Sequence, residues 1–357
     1  MNWERNVLRV TPYTAGEQPK DPEIIKLNTN ENPYPPAPGV VQVLEEMKAD
    51  PAKMRLYPDM DSTLLVEALA RREGVKPSQV FVGVGSDDVI SMAFMTFFRG
   101  EEKILFPDIT YSFYSVWADV HRIPFETVPL TEDFRIRPED YIPACTGRPN
   151  GGVIFPNPNA PTGIALPLSD VERIIAGNPD SVVIVDEAYI DFGGESAMCL
   201  LPKYENLLVV RTFSKSRSLA GMRIGYAVGG EKLISYLQDV KFSFNSYTMN
   251  LAAQRVGLAS VQDEDYFRAC TGRISATRDR FAAALTERGF EVLPSSANFV
   301  FARHPQFTGD DLLAALRARK VLVRHFKAPR IRDFLRITIG TDEQMDAVLR
   351  VLDVIIG

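Results

Sequence analysis

The sequence predicts an α/β protein. A large domain, built on a mostly parallel sheet covered by helices, precedes a smaller α/β domain. Between residues 80 and 210, short apolar runs alternate with helical segments, a pattern typical of a parallel sheet with helical crossovers. After residue 225 the pattern changes to helices followed by a second set of short strands. Residues 1–38 are rich in Pro and Asn and have no helical period. We therefore expect an N-terminal arm (1–38), a large domain (39–262) and a small C-terminal domain (263–357).

The composition excludes several classes of function. The 357 residues carry a formal charge of −6, which provides no basic field for nucleic acid or an anionic membrane. No apolar run reaches the roughly 18 residues of a membrane-spanning helix. Residues 1–6 lack the pattern of a secretory signal. The three cysteines and three histidines are too scattered for a disulfide framework or a metal site. We expect a cytoplasmic protein without a metal.

The elements of the large domain follow from the hydrophobic pattern. Continuous β-branched runs such as 181–185 indicate strands buried on both faces. Ser62 is a plausible N-cap for the helix that follows it. The predicted strands are 80–84, 103–106, 153–155, 181–185 and 207–210, and the predicted helices are 40–48, 62–72, 89–98, 111–120 and 168–176.

The second half of the chain is predicted to be mostly helical at first and then mixed. A long helical stretch over 263–288, interrupted at Thr271 and Gly272, has the length of a helix that bridges two domains. The remaining predicted helices are 232–240, 248–259, 310–319 and 342–356, and the remaining predicted strands are 298–303, 321–323 and 334–339.

The stretch from Arg211 to Gly225 carries the strongest chemical signal. It follows the buried run 207–210 and places Ser214, Lys215 and Arg223 among small residues. Hydroxyls, cations and close backbone approach are what an anion site needs. The end of a strand in an open α/β sheet is also the usual place for ligands. A basic surface turn is the alternative interpretation.

Asp186 ends another strand that is buried on both faces. A carboxylate in that position pays a desolvation cost unless a cation or hydrogen-bond donors meet it. A helix cap or a buried ion pair would satisfy it. Together with Lys215 at the same sheet edge, it also fits a Schiff-base enzyme, in which the lysine binds a cofactor aldehyde and the carboxylate holds the ring nitrogen protonated.

Several motifs occur in an order that resembles the fold type I pyridoxal-phosphate aminotransferases, and among them the histidinol-phosphate aminotransferases. The resemblance runs from about Val10 to the C-terminus. Each motif alone is modest, but the ordered set is specific. The matching segments are 28–34 (NTNENPY), 55–58 (RLYP), 85–88 (GSDD), 156–163 (PNPNAPTG), 185–192 (VDEAYIDF), 211–215 (RTFSK), 219–225 (LAGMRIG) and 334–340 (FLRITIG).

The resemblance implies a role for each matching residue around pyridoxal 5'-phosphate. Lys215 matches the lysine of the internal aldimine, and Asp186 matches the partner of the pyridinium nitrogen. Tyr189 matches a donor to the phenolic oxygen of the ring, and Tyr111 matches the aromatic residue stacked on the ring. The residues that match phosphate contacts are Ser86, Asp87, Ser214 and Arg223, and Tyr57 matches a phosphate contact made from a neighbouring subunit. The resemblance therefore implies a homodimer with shared active sites.

One position departs from the family pattern. The family usually has Asn directly before Pro-Thr-Gly, where its amide bonds the phenolic oxygen, but this chain has Ala160 there. We expect Asn159 to take that role through a shifted loop. Asn157 is the other candidate, and the contact could also be missing.

The resemblance also implies the substrate side of the site. Arg336 matches the arginine that binds the acidic group of the substrate, and Tyr13, Asn30 and Arg324 match further substrate contacts. The implied reaction is transamination between L-histidinol phosphate and 2-oxoglutarate, a step of histidine biosynthesis. Arg217 and His325 match no role.

Three alternatives remain open at this point. The first is an aminotransferase for aromatic or other amino acids. The second is a pyridoxal-phosphate decarboxylase of a phosphorylated amino acid, since such enzymes share the Lys–Asp pair. The third is a non-catalytic protein with a relic cofactor site, against which the intact Lys215, Asp186, Tyr189 and Arg223 argue.

Overall fold

A computed structural model describes residues 3–357; Met1 and Asn2, which belong to the predicted arm and to the N-terminal pattern, lie outside the described residues. The described chain contains two sheets. Numbered along the chain, the strands are β1 (Ile25–Leu27), β2 (Val80–Gly83), β3 (Ile104–Pro107), β4 (Phe125–Val128), β5 (Gly152–Pro156), β6 (Val183–Asp186), β7 (Leu207–Thr212), β8 (Gly225–Gly229), β9 (Glu291–Val292), β10 (Phe299–Arg303), β11 (Val321–His325) and β12 (Leu335–Thr338).

Helices cover the sheets and supply most of the remaining ordered chain. They are α1 (Pro38–Ala49), α2 (Thr63–Glu73), α3 (Gly85–Phe97), α4 (Phe113–His121), α5 (Pro143–Thr146), α6 (Leu168–Ala176), α7 (Glu231–Phe244), α8 (Leu251–Gln262), α9 (Glu264–Glu287), α10 (Gly309–Ala318) and α11 (Asp342–Ile356). Within the described range, no helix is long and apolar enough to cross a membrane.

The larger sheet has seven strands in the order β2-β8-β7-β6-β5-β3-β4. The pairs β4–β3, β3–β5, β5–β6 and β6–β7 are parallel, which confirms the mostly parallel sheet predicted from the sequence. In the registers of β5, β6 and β7, Pro156 lies opposite Asp186 and Asp186 opposite Val210. The carboxyl ends of these three strands therefore meet at one edge of the sheet, where loops can gather functional side chains.

Strand β8 was not among the predicted strands. It runs antiparallel to both β7 and β2, with Thr212 and Gly83 each opposite Gly225. Its sequence, Gly-Tyr-Ala-Val-Gly, has a glycine at each end and only a short apolar run, so its strand signal is weak. The antiparallel pairing folds the stretch after Lys215 back along β7.

The smaller sheet has five strands in the order β1-β11-β12-β10-β9. Its first strand comes from the predicted N-terminal arm: β1 runs parallel to β11, with Ile25 opposite Val321 and Leu27 opposite Val323. The arm is thus anchored to the C-terminal part of the chain. The predicted boundary at residue 262 coincides with the junction between α8 and α9, and the division into domains stays a prediction.

Two local expectations were wrong. Ser62 has a left-handed backbone and makes no capping bond with its side chain; Asp59 Oδ2 instead accepts the Thr63 N–H at 2.7 Å. Helix α9 runs through Thr271 and Gly272 without interruption. Thr271 is accommodated because its hydroxyl donates to the Phe267 carbonyl of the preceding turn at 3.0 Å.

Candidate active site

A cleft opens between the carboxyl edge of the larger sheet and the strands of the smaller one. Polar side chains from the N-terminal arm, the large sheet and the small sheet converge on it. This cleft is lined by twelve of the site residues that the sequence resemblance implies: Tyr13, Asn30, Ser86, Asp87, Tyr111, Asp186, Tyr189, Ser214, Lys215, Arg223, Arg324 and Arg336. The tertiary structure therefore gathers in one place residues that are up to 323 positions apart in the chain.

Asp186 lies at the floor of the cleft, at the end of β6, with 4% of its surface exposed. Its Oδ2 accepts the Tyr114 hydroxyl at 2.8 Å, and its Oδ1 accepts the Ala188 N–H at 3.2 Å. Burial raises the pKa of the carboxyl to about 6, and the Tyr114 hydrogen bond opposes that rise. The carboxylate is thus mostly ionised at neutral pH, and within residues 3–357 no salt bridge joins it to a cation, which suits it to pair with a cationic ligand atom.

Lys215 lies in the loop after β7 and points into the same cleft. Its Nζ donates to the Thr29 carbonyl at 3.1 Å, and Asn32 Nδ2 donates to the Lys215 carbonyl at 3.1 Å. Burial, together with the nearby Arg336 guanidinium, lowers the pKa of the amine to about 8. A substantial fraction of the amine is therefore neutral near pH 8, as a nucleophile or a general base requires.

A cradle for an anion lies beside Lys215, at the N-terminus of α3. Gly225 packs so closely on Gly85 and Ser86 that a Cβ at Gly225 would collide with their backbone. Free N–H groups and a partial positive charge occur at such a helix start. Arg223 adds a guanidinium whose Nη1 is 3.3 Å from Ser214 Oγ and whose Nη2 is 3.1 Å from Asp87 Oδ2. The cradle has the charge and donors of a phosphate site.

Two aromatic side chains, Tyr111 just before α4 and Tyr13 of the arm, form one wall of the cleft. The Tyr111 hydroxyl donates to Asp87 Oδ1 at 2.9 Å, which fixes the ring beside the anion cradle. Tyr13 stacks on Phe113 with ring centroids 4.3 Å apart and lies 6.4 Å from Tyr111. This wall can cover the face of a flat ring bound above Asp186.

Two arginines face the cleft from the smaller sheet. Arg324 of β11 lies directly opposite Arg336 of β12 in the strand register. Like charges directly opposite in a sheet are destabilising unless an anion lies near them. Within residues 3–357 neither guanidinium has a salt bridge, and the Arg336 Nε is buried without a hydrogen-bond partner. Arg336 and Arg324 otherwise donate to the backbone carbonyls of Asn28 (3.0 Å) and Thr14 (3.2 Å). The pair is suited to an anionic substrate group.

Asn159 was expected to reach the ligand from the 156–163 loop, but the structure places its side chain outside the cleft. Its Nδ2 donates to the Ile109 carbonyl and to Thr162 Oγ1, both at 3.0 Å, and its side chain does not line the cleft. Asn157 is equally committed, because its amide bonds both the N–H and the carbonyl of Leu166. Ala160 and Pro161 line the cleft instead. Neither asparagine lines the cleft, and each bonds partners in or beside its own loop.

Three further residues lie outside the cleft. Tyr57 is 82% exposed and stacks on Tyr247 with ring centroids 4.6 Å apart. Arg217 is buried and joins the Lys215 loop to the helices behind it, donating to the Ser260 carbonyl and to Glu264. His325 Nε2 lies 2.6 Å from the Arg332 carbonyl. Arg217 and His325, for which the sequence indicated no role, thus have structural partners.

Tyr114 is the main site residue that the sequence did not indicate. It is fully buried, and within residues 3–357 its hydroxyl bonds only to Asp186. The sequence contained one signal, since residues three positions apart on a helix share a face and Tyr111 was already a candidate. In an aromatic-rich helix that signal is indistinguishable from core packing.

Comparisons with known proteins agree with this geometry. The family model "Aminotransferase class I and II" matches residues 22–352, so the chain belongs to that family and the protein is an aminotransferase. Histidinol-phosphate aminotransferase 2 of Dechloromonas aromatica is 54% identical over 356 residues, covering 99% of both chains. Histidinol-phosphate aminotransferase of Aromatoleum aromaticum is 53% identical over 350 residues, covering 98% of both chains. Within the family, the chain falls among the histidinol-phosphate aminotransferases.

A solved structure confirms the fold. The histidinol-phosphate aminotransferase of Sinorhizobium meliloti, solved in complex with pyridoxal-5'-phosphate, superposes with a TM-score of 0.82 at 23% identity. The match covers 93% of this chain and 91% of that one. At this identity the similarity supports the α/β fold and leaves the ligands to be argued from the residues themselves.

Proposed function

We propose that this aminotransferase uses pyridoxal 5'-phosphate to move the amino group of L-histidinol phosphate to 2-oxoglutarate. The observation that carries the proposal is the cleft in which Lys215 and Asp186 lie beside one anion cradle and face a second cationic pair, Arg324 and Arg336. Two separate anion sites suit a phosphorylated cofactor and a substrate with an anionic end. The relatives named above support the same substrate.

The residues present fit the cofactor. The α3 N-terminus, Ser214 and Arg223 suit its phosphate, and the Tyr111 ring suits the face of its pyridine ring. The buried Asp186 carboxylate, which has no cation of its own, suits the protonated ring nitrogen. When bound, pyridoxal phosphate supplies an aldehyde that takes up the amine and a ring that delocalises the electrons released from the substrate carbon.

In this reaction Lys215, Asp186 and Tyr189 have separate tasks. Lys215 Nζ is the amine that holds the cofactor until substrate replaces it, and afterwards it carries a proton away from the substrate carbon that bears the amino group. Its lowered pKa, about 8, keeps much of it neutral for that step. Asp186 keeps the far end of the ring cationic. Tyr189 and the arm residue Thr29 also line the cleft, and the Thr29 carbonyl accepts a hydrogen bond from Lys215 Nζ.

Arg324 and Arg336 serve both half-reactions in this scheme. In the first they meet the phosphate monoester, and in the second they meet a carboxylate of 2-oxoglutarate. A planar guanidinium binds either anion with paired hydrogen bonds. Tyr13 lines the cleft with Phe113 stacked on it, and its ring can pack against an imidazole ring.

Comparison of histidinol phosphate with histidinol tests the substrate assignment, because the two amines differ only in the phosphate. We expect kcat/KM for the phosphate ester to be higher by about 10²–10⁴-fold, the equivalent of two charge-assisted hydrogen bonds. Arg324→Ala should remove most of that ratio by lowering kcat/KM for the ester alone. The measurement is the rate at which each amine bleaches the visible band of the loaded protein.

Arg319→Ala is the matched control, since Arg319 is an exposed arginine of the same part of the chain. Equal losses for both amines in Arg324→Ala would argue against phosphate recognition. A preference for phenylalanine over histidinol phosphate would assign the protein to aromatic amino-acid transamination. Carbon dioxide release without 2-oxoglutarate would assign it to a decarboxylase.

The proposal includes a homodimer with shared active sites. Large apolar side chains are exposed in the segments next to Tyr57 and its stacking partner Tyr247, among them Met54 (60%), Leu56 (55%) and Phe244 (69%). Exposed apolar side chains of this kind, when they form one patch, mark interaction surfaces. The Tyr57 hydroxyl has no hydrogen-bond partner within the described residues and does not line its own chain's cleft. A partner's phosphate cradle would give it one.

Mixing two inactive variants tests the shared site. In a hybrid dimer of Lys215→Ala and Tyr57→Ala chains, one site has both defects and the other has neither. Random exchange of subunits should therefore restore about a quarter of wild-type kcat, because half of the dimers are hybrids and each has one intact site. Mixtures that stay as inactive as their components would refute the trans contact. The control mixes Lys215→Ala with Asp186→Ala chains. Both residues are contributed to a site by the same chain, so each site of that hybrid has one defect and no activity should return.

A further inference from the structure

Tyr189 points its hydroxyl at a residue of the N-terminal arm. The ring is 8% exposed, and its hydroxyl oxygen lies 2.8 Å from Asn30 Nδ2, which donates to it. Asn30 is 1% exposed. Within residues 3–357, Asn30 is the only hydrogen-bond partner of the Tyr189 hydroxyl. The direction in which this hydroxyl sends its own proton therefore depends on which atom of the Asn30 amide faces it.

Thr338 of β12 decides the orientation of that amide. Its Oγ1 accepts the backbone N–H of Asn30 at 3.0 Å and lies 3.0 Å from Asn30 Oδ1. Because the backbone N–H can only donate, it leaves the Thr338 hydroxyl proton free to bond Oδ1. A hydroxyl has one proton and two acceptor lone pairs, so both bonds form at once. Oδ1 is thereby used as an acceptor, and Nδ2 is turned toward Tyr189.

We propose that Asn30 and Thr338 are positioning residues that make the Tyr189 hydroxyl a proton donor into the cleft. With Nδ2 donating to the Tyr189 oxygen, the Tyr189 proton has no acceptor among residues 3–357 and is directed toward the ligand. This inference rests on the proposed function, in which the phenolic oxygen of pyridoxal phosphate is the acceptor.

The Tyr189 hydroxyl matters as a donor because no asparagine of the 156–163 loop lines the cleft beside it. Ala160 and Pro161 line the cleft where an amide donor was expected, and Ala160 packs in the same apolar cluster as Tyr189. Asn159 and Asn157 are committed to their own loop. The tyrosine is thus left without a second donor from the 156–163 loop to share its task.

Burial keeps the proton of Tyr189 in place. It raises the pKa of the phenol; Arg336 and the hydrogen bond from Asn30 oppose that rise, and Asp186 and Asp87 add to it. Lys215 Nζ lies 6.0 Å from the centre of the Tyr189 ring. A hydroxyl that stays protonated can serve as a donor throughout the working pH range.

The backbone of Asn30 is held as tightly as its side chain. Asn298, just before β10, donates from Nδ2 to the Asn30 carbonyl at 3.0 Å. Asn30 also adopts a left-handed backbone with φ of 58°, which asparagine tolerates better than most residues. Thr338 and Asn298, both from the region of the smaller sheet, thus fix Asn30 of the arm, and Asn30 bonds Tyr189, which follows β6 of the larger sheet. Residues of the smaller sheet therefore orient the Tyr189 hydroxyl in the cleft.

Thr338→Val removes the hydroxyl at a position that does not line the cleft. The readout is the pH titration of the visible absorption of the protein loaded with pyridoxal phosphate. A donor to the phenolic oxygen favours the deprotonated, more negative form, so losing the donor raises the pH of the transition. We expect Tyr189→Phe to raise it by about one unit, Thr338→Val to raise it by part of that amount, and Thr338→Ser to restore the wild-type value.

A double-mutant cycle separates this role from simple packing. If Thr338 acts through Tyr189, Thr338→Val should shift the transition of the wild type and cause no further shift in Tyr189→Phe. Asn30→Asp, with and without Tyr189→Phe, gives the same comparison should Thr338→Val fold poorly, because the added carboxylate can accept the tyrosine proton. Thr271→Val, which removes a buried hydroxyl bonded within α9, should shift nothing.

Three outcomes overturn the inference. One is an unshifted transition in Thr338→Val and Asn30→Asp while Tyr189→Phe shifts. The second is an equal shift from Thr338→Val with and without Tyr189. The third is a wild-type protein that binds no pyridoxal phosphate, which overturns the proposed function as well. A wild-type protein that shows the band and its titration but transfers no amino group refutes the proposed function alone, because the titration still tests the donor.

Discussion

Replacing Lys215 by alanine is expected to abolish turnover, with kcat falling by more than about 10⁴-fold. The side chain is assigned two tasks, holding the cofactor and carrying the substrate proton, and no other lysine lines the described cleft. The fold should survive, because the change removes an amine that burial already disfavours as a cation. Steady-state turnover and the visible spectrum of the purified protein give the measurement.

Lys215→Arg is the sharper companion variant, since it retains the cation but not the reactive amine. We expect it to be as inactive as Lys215→Ala. Borohydride treatment of the wild type, followed by peptide mass mapping, should place the reduced cofactor on the peptide containing Lys215. Exposed Lys203, replaced by alanine, should leave the rate and the spectrum unchanged. A cofactor adduct on a different lysine, or turnover retained by Lys215→Ala, would end this assignment.

Asp186→Asn is expected to have opposite effects on activity and on the stability of the apoprotein. Activity should fall by about 10²–10³-fold, the scale seen when one preorganised electrostatic contact is removed. The apoprotein should become more stable at neutral pH, because burying the charged carboxylate is costly. The rise of its pKa from 3.8 to about 6 corresponds to at most about 3 kcal/mol. Urea unfolding without cofactor, and turnover with it, give the two measurements.

The pH dependence provides an independent check. The carboxyl of the folded apoprotein binds its proton more tightly than in the unfolded chain, so wild-type stability should fall as pH rises from about 4 to about 6. In Asp186→Asn that decline should be missing. Tyr114→Phe is the companion variant: without its hydrogen bond the Asp186 pKa should rise further and the cofactor should bind more weakly. Tyr141→Phe removes another buried hydroxyl, one without a hydrogen-bond partner in the described part of the chain, and should change neither the Asp186 pKa nor cofactor binding. An apoprotein whose stability profile is identical in wild type and Asp186→Asn would contradict the buried-charge argument.

The alternation of apolar runs was sufficient to predict the fold class. Strands β6 and β7 contain the unbroken apolar runs 183–185 and 207–210, and runs of that kind are typical of a sheet covered on both faces. The boundaries were less predictable. Strand β8 was missed because its five residues include two glycines, and it exists through pairing with β7 and β2. The continuity of α9 through Gly272 likewise depends on packing with neighbours, which outweighs the low helix propensity of glycine.

Some residues of the site could also be predicted from the sequence, and others could not. Asp186 could be recognised because it ends a buried apolar strand, and Lys215 because it lies in the loop that directly follows one; a charge in either place needs a specific reason. Asn159 could not be placed from the sequence, since the direction of a side chain in a proline-rich loop depends on its partners, here Ile109 and Thr162. Tyr114 was hidden among core aromatics for the opposite reason, because a single hydroxyl distinguishes it from phenylalanine and its partner is 72 residues away.

The sequence by itself determined the α/β class, the order of the main elements, the family resemblance and twelve of the residues that meet in the cleft. Each of these depends on local pattern or on motif order, which the chain carries without folding. Only the tertiary structure decided that Ala160 rather than an asparagine faces the cleft, that Tyr114 supports Asp186, and that Thr338 and Asn30 orient Tyr189. The hydrogen bonds that orient Tyr189 join residues as far apart in the chain as Asn30 and Thr338, which are separated by 308 positions. Such residues meet only when the N-terminal arm packs against both sheets.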